Sequence, residues 1–190
     1  MTVTRASRAD QRARHAAEDD PEVVLAAGLR FLETRSRAIE EVRRRLNQAG
    51  YRSELVEGAI ERLTGIGLLD DDLFAQAWVE SRDRAHPRGE AALRRELGLR
   101  GVARDVIGRV LDERRNDPGP PGELDADEPA GSPDEAAARR LIERRRRDLE
   151  RIDDPRRRRE RAYALLARHG FDPEVCRVVA GSVASPAARP

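Results

Sequence analysis

A run of three acidic residues is the most chemically suggestive group in the sequence. Asp70, Asp71 and Asp72 are consecutive, and three adjacent carboxylates could hold a Mg²⁺ ion or perturb one another's pKa. They also stand directly before an apolar, helix-forming segment, where Asp is favoured because its carboxylate accepts hydrogen bonds from free backbone amides. We therefore expect these residues to cap a helix rather than to bind a metal.

The other candidates for catalysis or metal binding are isolated from one another. His15, His86 and His169 are scattered through a tail and two helix ends, and no cluster of histidines and cysteines surrounds any of them. Cys176 is the only cysteine, which excludes an internal disulfide, and its apolar neighbours favour a core position. The Gly-Ile-Gly at 65–67 follows no strand and lacks the rest of a phosphate-binding fingerprint. We expect no enzymatic activity, no cofactor and no metal.

Arginine is the strongest remaining signal. All 37 basic residues are arginine, and 36 acidic residues leave a formal net charge of +1, so an anionic partner would have to meet a local patch. A GC-rich genome would also favour arginine over lysine, and both explanations stand. Residues 82–109 hold eight arginines against four acids, and residues 139–168 hold thirteen against six. A single arginine is best explained as a solvated surface residue, whereas the patches favour phosphates or an acidic protein.

The elements that would position these residues are helical. Phe74, Ala77, Trp78 and Ser81 follow the i, i+3, i+4, i+7 spacing of one buried helix face. Residues 1–20 are polar and predict a disordered tail. A hydrophobic content of 38% fits several small cores better than a single large one. No apolar run reaches the roughly 18 residues that span a bilayer, so we expect a cytoplasmic protein that does not enter the membrane.

A change in composition interrupts the helical pattern. Residues 116–133 contain five prolines, together with glycines and acidic side chains and no basic residue, which predicts an acidic linker. Helical spacing resumes at about Asp134 and ends before a Pro/Ala tail at 184–190. Asp154 and Pro155 are typical of an N-cap and the first residue of a further helix.

One spacing pattern occurs three times. A leucine is followed four positions later by a glycine and then by an apolar residue, and an acidic residue stands four positions after the glycine. The three occurrences are Leu46, Gly50, Tyr51 and Glu54; Leu97, Gly101, Val102 and Asp105; and Leu166, Gly170, Phe171 and Glu174. The glycine supplies the left-handed conformation that ends a helix, and the acid falls in the first turn of the next helix. We call each occurrence a repeat joint.

Each joint lies inside one unit of the chain, between the second and the third helix of that unit. We predict three tandem three-helix repeats of helix-turn-helix type, at residues 21–67, 68–115 and 134–183, that form an elongated, curved rod. The first helices of the repeats are expected at residues 22–34, 71–84 and 134–151. From charge alone we select a main contact face of exposed arginines in the second repeat (Arg82, Arg84, Arg88, Arg94, Arg95 and Arg100). A second face is expected in the third repeat (Arg144, Arg145, Arg146, Arg147, Arg156, Arg157, Arg158 and Arg159).

The second repeat contains a long motif without gaps. It has two apolar residues, an acidic pair, Phe-Ala, an aromatic-x-x-x-Arg step, a glycine, and an apolar-x-x-Glu-Leu-x-x-x-Gly-apolar joint. These residues are Leu68, Leu69, Asp70, Asp71, Phe74, Ala75, Trp78, Arg82, Gly89, Leu93, Glu96, Leu97, Gly101 and Val102. The motif resembles that of the RecX family of bacterial RecA regulators, and the resemblance extends more weakly over residues 22–183.

This resemblance implies a non-enzymatic modulator whose partner is the RecA filament on single-stranded DNA. It would bind in the filament groove, inhibit ATP hydrolysis, strand exchange and filament growth, and thereby act in recombination and repair. We expect a monomer with at most weak direct DNA binding. The alternatives are a helix-turn-helix DNA-binding protein that acts without RecA, and a helical scaffold for another acidic protein. Direct DNA binding would weaken steeply with salt.

Overall fold

The computed structural model describes residues 7–116 and 131–183, in which every regular element is an α-helix. The helices are α1 Arg8–Ala16, α2 Pro21–Leu32, α3 Ile39–Ala49, α4 Ser53–Gly65, α5 Asp71–Ala85, α6 Glu90–Arg100, α7 Arg104–Asn116, α8 Pro133–Arg144, α9 Arg146–Glu150, α10 Pro155–Arg168 and α11 Pro173–Ser182. The predicted all-α class is confirmed. Most of the predicted linker and all of the predicted C-terminal tail lie outside the described residues.

Packing divides the chain into two compact units. The first unit holds the described residues up to Phe74 together with Leu99–Ala103, and the second holds Ala75–Gly98 and the described residues from Arg104 onward. The core of the first unit consists of Val24, Val42, Leu46, Tyr51, Val56, Ala59, Ile60, Leu63 and Leu69. In the second unit, Leu166, Phe171 and Cys176 belong to one core cluster, Leu149, Ala162 and Ala180 form a smaller one, and Leu93, Leu97 and Leu111 are buried outside both. Several small cores result, in keeping with the modest hydrophobic content.

Four helices begin with the same local sequence, a capping side chain followed by proline. Asp20, Ser132, Asp154 and Asp172 each accept a hydrogen bond from an amide in the first turn of the helix that follows. The proline comes next, where its missing N–H would have had no partner within the helix. This geometry confirms the helix start predicted at Asp154.

The repeat joints have the predicted glycine conformation. The φ angles are 104° at Gly50, 92° at Gly101 and 81° at Gly170. In the first joint, Tyr51 N donates to Leu46 O over 3.4 Å and Gly50 N donates to Asn47 O over 3.0 Å. The third joint repeats both bonds with the same distances. Each of these two helix ends is therefore a Schellman motif, in which the residue after the glycine turns back onto the last helical turn.

Helix α1 corrects the prediction of a disordered tail at 1–20, because it lies inside that range. Ser7 caps the helix by accepting from Asp10 N, and Asp10 in return accepts from Ser7 N. The polar composition of this segment gives no sign of the tertiary contact that holds the helix in place. The His15 ring stacks on the Tyr51 ring with the centroids 4.3 Å apart. Such a contact can stabilise a helix that is too short to persist in isolation.

The predicted buried face of α5 is wrong by a small rotation. Ala77 and Ser81 are exposed, whereas Ala75 and Val79 are buried on the same side as Phe74. The helical period was correct, but the centre of the buried stripe lies about one residue away from the predicted one.

The first helix of the third repeat is not continuous over 134–151. It breaks at Arg145, which has φ −105° and ψ 6° and separates α8 from α9. The break follows from the cores on its two sides, because Leu141 packs in the larger core of the second unit and Leu149 packs in the smaller one.

Candidate binding surfaces

At the C-terminal end of the middle helix of each repeat, a backbone carbonyl accepts a hydrogen bond from a donor earlier in the chain. The carbonyl just before each joint glycine accepts this bond: Ala49 O from His15 Nδ1 at 2.8 Å, Arg100 O from Arg44 Nη2 at 2.8 Å, and His169 O from Gly89 N at 3.1 Å. The His15 contact requires the proton on Nδ1, since a carbonyl only accepts. These bonds satisfy C-terminal carbonyls that have no partner within their own helices.

The N-terminal ends of two middle helices depend on aspartates from later helices. Ile39 N, the first amide of α3, donates to Asp71 Oδ1 over 2.9 Å, and Glu90 N, the first amide of α6, donates to Asp134 Oδ2 over 3.1 Å. Burial raises the pKa of Asp71, and the bond from Ile39 opposes that effect. Asp70 Oδ1 accepts from Leu73 N in the first turn of α5. The capping role predicted for the acidic run is confirmed, although Asp71 caps a different helix from the one expected.

Arg114 forms a largely buried ion-pair network within the second unit. Its side chain is 10% exposed, its Nε and Nη2 donate to the two oxygens of Asp83 over 2.8 and 3.0 Å, and its Nη1 donates to Asp134 Oδ1 over 2.6 Å. One guanidinium thus joins α5, α7 and α8, and Asp134 extends the network to the first amide of α6. Sequence reasoning missed this site, because a lone arginine in an Arg-rich helix gives no sign of burial.

Four residues of the second repeat form a cluster around one carboxylate. Glu96 Oε2 accepts from Trp78 Nε1 over 3.1 Å and from Arg82 Nε over 2.7 Å. The Arg82 guanidinium also lies over the Trp78 ring, 4.2 Å from its centroid. Arg88 Nε lies 3.4 Å from Glu96 Oε1 without making a hydrogen bond. The aromatic, arginine and glutamate positions of the family pattern are therefore joined in space.

This cluster changes the predicted contact face of the second repeat. Arg82, Arg88 and Arg100 are partly buried rather than exposed, since each faces a glutamate: Glu96 for the first two and Glu41, at 2.8 Å, for Arg100. The exposed members of the set are Arg84, Arg94 and Arg95. Arg84 and Arg94 have i,i+4 partners on their own helices, at 3.4 and 2.9 Å. Arg95 makes no ion pair with any described residue.

The arginines of the third repeat divide in a similar way. Arg144 donates to the backbone carbonyls of Arg84 and Ala85 at the end of α5, and Arg158 donates to Ile152 O over 2.9 and 3.0 Å. These two arginines therefore close helix ends and turns. The remaining candidates are exposed: Arg145, Arg146, Arg156 and Arg157 pair with acids three or four residues away, and Arg147 and Arg159 make no ion pair within the described ranges.

Helix α10 begins with arginines where acidic residues are favoured. Its first turn has no acidic residue and contains Arg156 and Arg157, whose side chains are 88% and 81% exposed. Positive charge at the positive end of a helix dipole is unfavourable for the isolated helix. An anionic partner would offset this repulsion, which the N-cap carboxylate of Asp154, 3.6 Å from Arg157, also opposes.

Two of the isolated candidates, Cys176 and His169, have structural roles, whereas His86 is exposed. Cys176 is fully buried, and burial raises the pKa of its thiol. His169 Nδ1 lies 2.8 Å from Leu165 O, a contact within its own helix end. Within residues 7–116 and 131–183 we find no group of three or more His, Cys, Asp or Glu side chains placed to hold a metal, and no helix that is long and apolar enough to cross a membrane.

Comparison with known proteins identifies the family. The RecX profiles for the second and third three-helix domains match residues 70–111 and 133–179. The regulatory protein RecX of Mycobacterium ulcerans (strain Agy99) is 34% identical over 165 residues, which is 86% of this chain and 87% of that protein. The chain belongs to the RecX family. The RecX protein of Mycobacterium avium (strain 104) is 35% identical over 166 residues, with the same shares covered.

Solved RecX structures share the fold. A crystal structure of regulatory protein RecX matches with a TM-score of 0.67 and 20% identity, covering 94% of this chain and 81% of that one. RecX from Lactobacillus salivarius matches with a TM-score of 0.69 and 16% identity, covering 87% and 97%. The family model over residues 70–111 and the curated relatives confirm the family resemblance of the second repeat, and those relatives are named as regulatory proteins. Most of the motif residues of the second repeat lie in the Glu96 cluster, at helix ends or in the core, where Leu93 and Leu97 are fully buried, whereas Leu68 is exposed.

Proposed function

We propose that this protein is a non-enzymatic modulator of RecA that acts in the cytoplasm on filaments assembled on single-stranded DNA. Membership in the RecX family carries this proposal, because the family resemblance implies RecA as the partner. By binding in the filament groove the protein would link neighbouring RecA protomers. It would thereby reduce ATP hydrolysis, strand exchange and further growth of the filament.

The exposed arginines of the second unit support this mode of action. Arg95, Arg147 and Arg159 lie on α6, α9 and α10, are exposed, and make no ion pair with any described residue. Binding an acidic surface through them would break no internal ion pair with a described residue, whereas recruiting Arg82 or Arg88 would disturb the Glu96 cluster. We therefore assign the primary contact to Arg95, Arg147 and Arg159, with Arg84, Arg94, Arg145, Arg146, Arg156 and Arg157 as secondary contacts.

The test measures ATP hydrolysis and filament length of RecA on single-stranded DNA at stoichiometric amounts of the protein. We expect inhibition by the natural protein, and weaker inhibition after Arg95, Arg147 and Arg159 are all replaced by Gln. A matched control replaces Arg14, Arg30 and Arg104 by Gln, which removes the same charge from exposed positions elsewhere. No effect of the natural protein would refute the function, and equal inhibition by the two triple variants would refute the assigned surface.

Helix-turn-helix binding to DNA without RecA is less well supported. In that mode the helix after each joint would enter the major groove with its N-terminal residues near the bases. The first turns of these helices carry Glu54 in α4, Asp105 in α7 and Glu174 in α11, and each carboxylate would repel the phosphates beside the groove. Binding to duplex DNA that is tight, independent of RecA and steeply weakened by salt would favour this alternative instead.

A further inference from the structure

The first and second repeats share one side-chain pattern that differs at a single charged position. Both have an aromatic residue, an arginine four residues later, an arginine just before the N-cap of the middle helix, and a charged residue five positions before the joint glycine. The equivalent pairs, with the residue of the first repeat given first, are Phe31/Trp78, Arg35/Arg82, Arg37/Arg88, Ala38/Gly89 at the start of the middle helix, and Arg45/Glu96. The last pair reverses the charge.

In the second repeat the glutamate at this position neutralises the arginines around it, as described for Glu96 above. In the first repeat the equivalent residue, Arg45, adds a further positive charge. The guanidinium carbon of Arg37 lies 4.2 Å from the centroid of the Phe31 ring, and that of Arg45 lies 5.8 Å from it. Two guanidinium groups therefore lie against one aromatic ring, where the second repeat has a guanidinium and a carboxylate.

The nearby carboxylate of Glu41 does not take the place of the missing one. Its Oε1 lies 3.6 Å from Arg35 and 2.8 Å from Arg100, and its Oε2 accepts from Ala38 N over 3.3 Å. Both oxygens are therefore engaged. Neither Arg37 nor Arg45 makes an ion pair with any residue that the structure describes.

Arg37 is held in place but is incompletely satisfied. Its Nη2 donates to Thr34 Oγ1 over 3.3 Å, while its Nε is buried and has no hydrogen-bond partner in the described part of the chain. Burial lowers the pKa of Arg37, the charge of Arg35 lowers it further, and the charge of Glu41 only partly opposes these effects. The same atom of Arg88, the equivalent residue, is the one that faces Glu96 in the second repeat. The aromatic ring and Thr34 thus hold a cation that makes no ion pair within the first repeat.

We propose that Phe31, Arg37 and Arg45 form a binding site for a carboxylate of an acidic protein segment, at the position that Glu96 fills in the second repeat. A carboxylate is favoured over a phosphate because an equivalent set of residues in the same chain is neutralised by a carboxylate. Guanidinium groups fixed against a ring lose little freedom when they bind a planar carboxylate. The site lies in the first unit and is distinct from the RecA contact assigned above, so the two proposals can fail separately.

The experiment measures binding of a fluorescent oligoglutamate peptide to the full chain by anisotropy, with an oligoglutamine peptide as the uncharged control. We expect saturable binding of oligoglutamate alone, and a shift of the Arg37 Nε–H resonance when it binds. The decisive variant is Arg45→Glu, which would supply the missing carboxylate from within. It should weaken peptide binding about tenfold or more, as expected for the loss of a charge-assisted hydrogen bond, and it should raise the unfolding temperature.

The matched control is Arg30→Glu, which makes the same charge change at an exposed position of α2. We expect this variant to bind the peptide within about twofold of the natural protein, since screened long-range charge is a weak contribution. Equal weakening by both variants would overturn the site, and so would an absence of saturable binding up to millimolar peptide. Binding of an oligothymidylate that Arg45→Glu abolishes, without binding of oligoglutamate, would show a phosphate site and would also overturn the proposal.

Discussion

Replacing Arg114 by Met is expected to cause a large loss of stability. The side chain is 10% exposed, and its partners Asp83 and Asp134 are 24% and 15% exposed. Methionine keeps most of the apolar stem but leaves two poorly solvated carboxylates without their shared cation. Removing one partner of a buried ion pair typically costs about 3–5 kcal/mol. For a chain of this size that corresponds to a fall in unfolding temperature of roughly 6–20 °C.

The assay is urea and thermal unfolding followed by circular dichroism. The control is Arg115→Met on the neighbouring residue, whose side chain is 55% exposed although it also pairs with two acids, Glu90 and Asp112. We expect that variant to unfold at nearly the natural temperature, because exposed ion pairs contribute little. Adding Asp83→Asn and Asp134→Asn to Arg114→Met should recover part of the loss, since it removes the uncompensated charges. If Arg114→Met is no less stable than Arg115→Met, the network does not stabilise the second unit.

Two further predictions concern glycine and cysteine. Gly98→Ala should raise the free energy of unfolding by about 0.5–1 kcal/mol, because the new Cβ would meet nothing within 4 Å in the interior of α6. Gly101→Ala should lower the free energy of unfolding, since φ is 92° there and the new Cβ would lie 2.4 Å from Glu40 Cβ. Urea titration of both variants checks the opposite signs. Burial raises the pKa of Cys176, so the folded state favours the neutral thiol. The stability that this group contributes should be full below the ordinary thiol pKa of about 8.5 and should decline above it. A Cys176→Ala variant that loses stability with rising pH as steeply as the natural protein would contradict this assignment.

Local backbone chemistry made part of the fold predictable. The joint glycines could be recognised because a left-handed residue at a helix end restricts the choice to few side chains, and Gly50, Gly101 and Gly170 all have positive φ. The same reasoning left a fourth example unnoticed. Leu63 and Gly67 have the same spacing, Gly67 has φ 73°, and Leu68 N donates to Leu63 O over 2.9 Å at the end of α4.

Partners distant in sequence made the exposure of individual arginines unpredictable. Arg82 meets Glu96 from 14 residues away, and Arg100 meets Glu41 from 59 residues away. Charge counting treats such residues as exposed, because it contains no information on which helices are neighbours. One pairing had a detectable sign, since Trp78, Arg82 and Glu96 all belong to the family pattern and could have been interpreted as a cluster.

The hydrogen bonds at the two ends of the middle helices differ in whether the partner residue is synthesised before or after the helix. The donors at the C-terminal ends precede their acceptors in the chain, so they have already been synthesised when each of these helices is completed. The aspartates at the N-terminal ends follow: Asp71 is 32 residues beyond Ile39, and Asp134 is 44 residues beyond Glu90. Helices α3 and α6 therefore emerge with an unpaired first amide that is satisfied only when the first helix of the next repeat appears. Translation that stops between residues 116 and 133 would leave α6 in that unfinished state, with Arg114 lacking one of its two carboxylates.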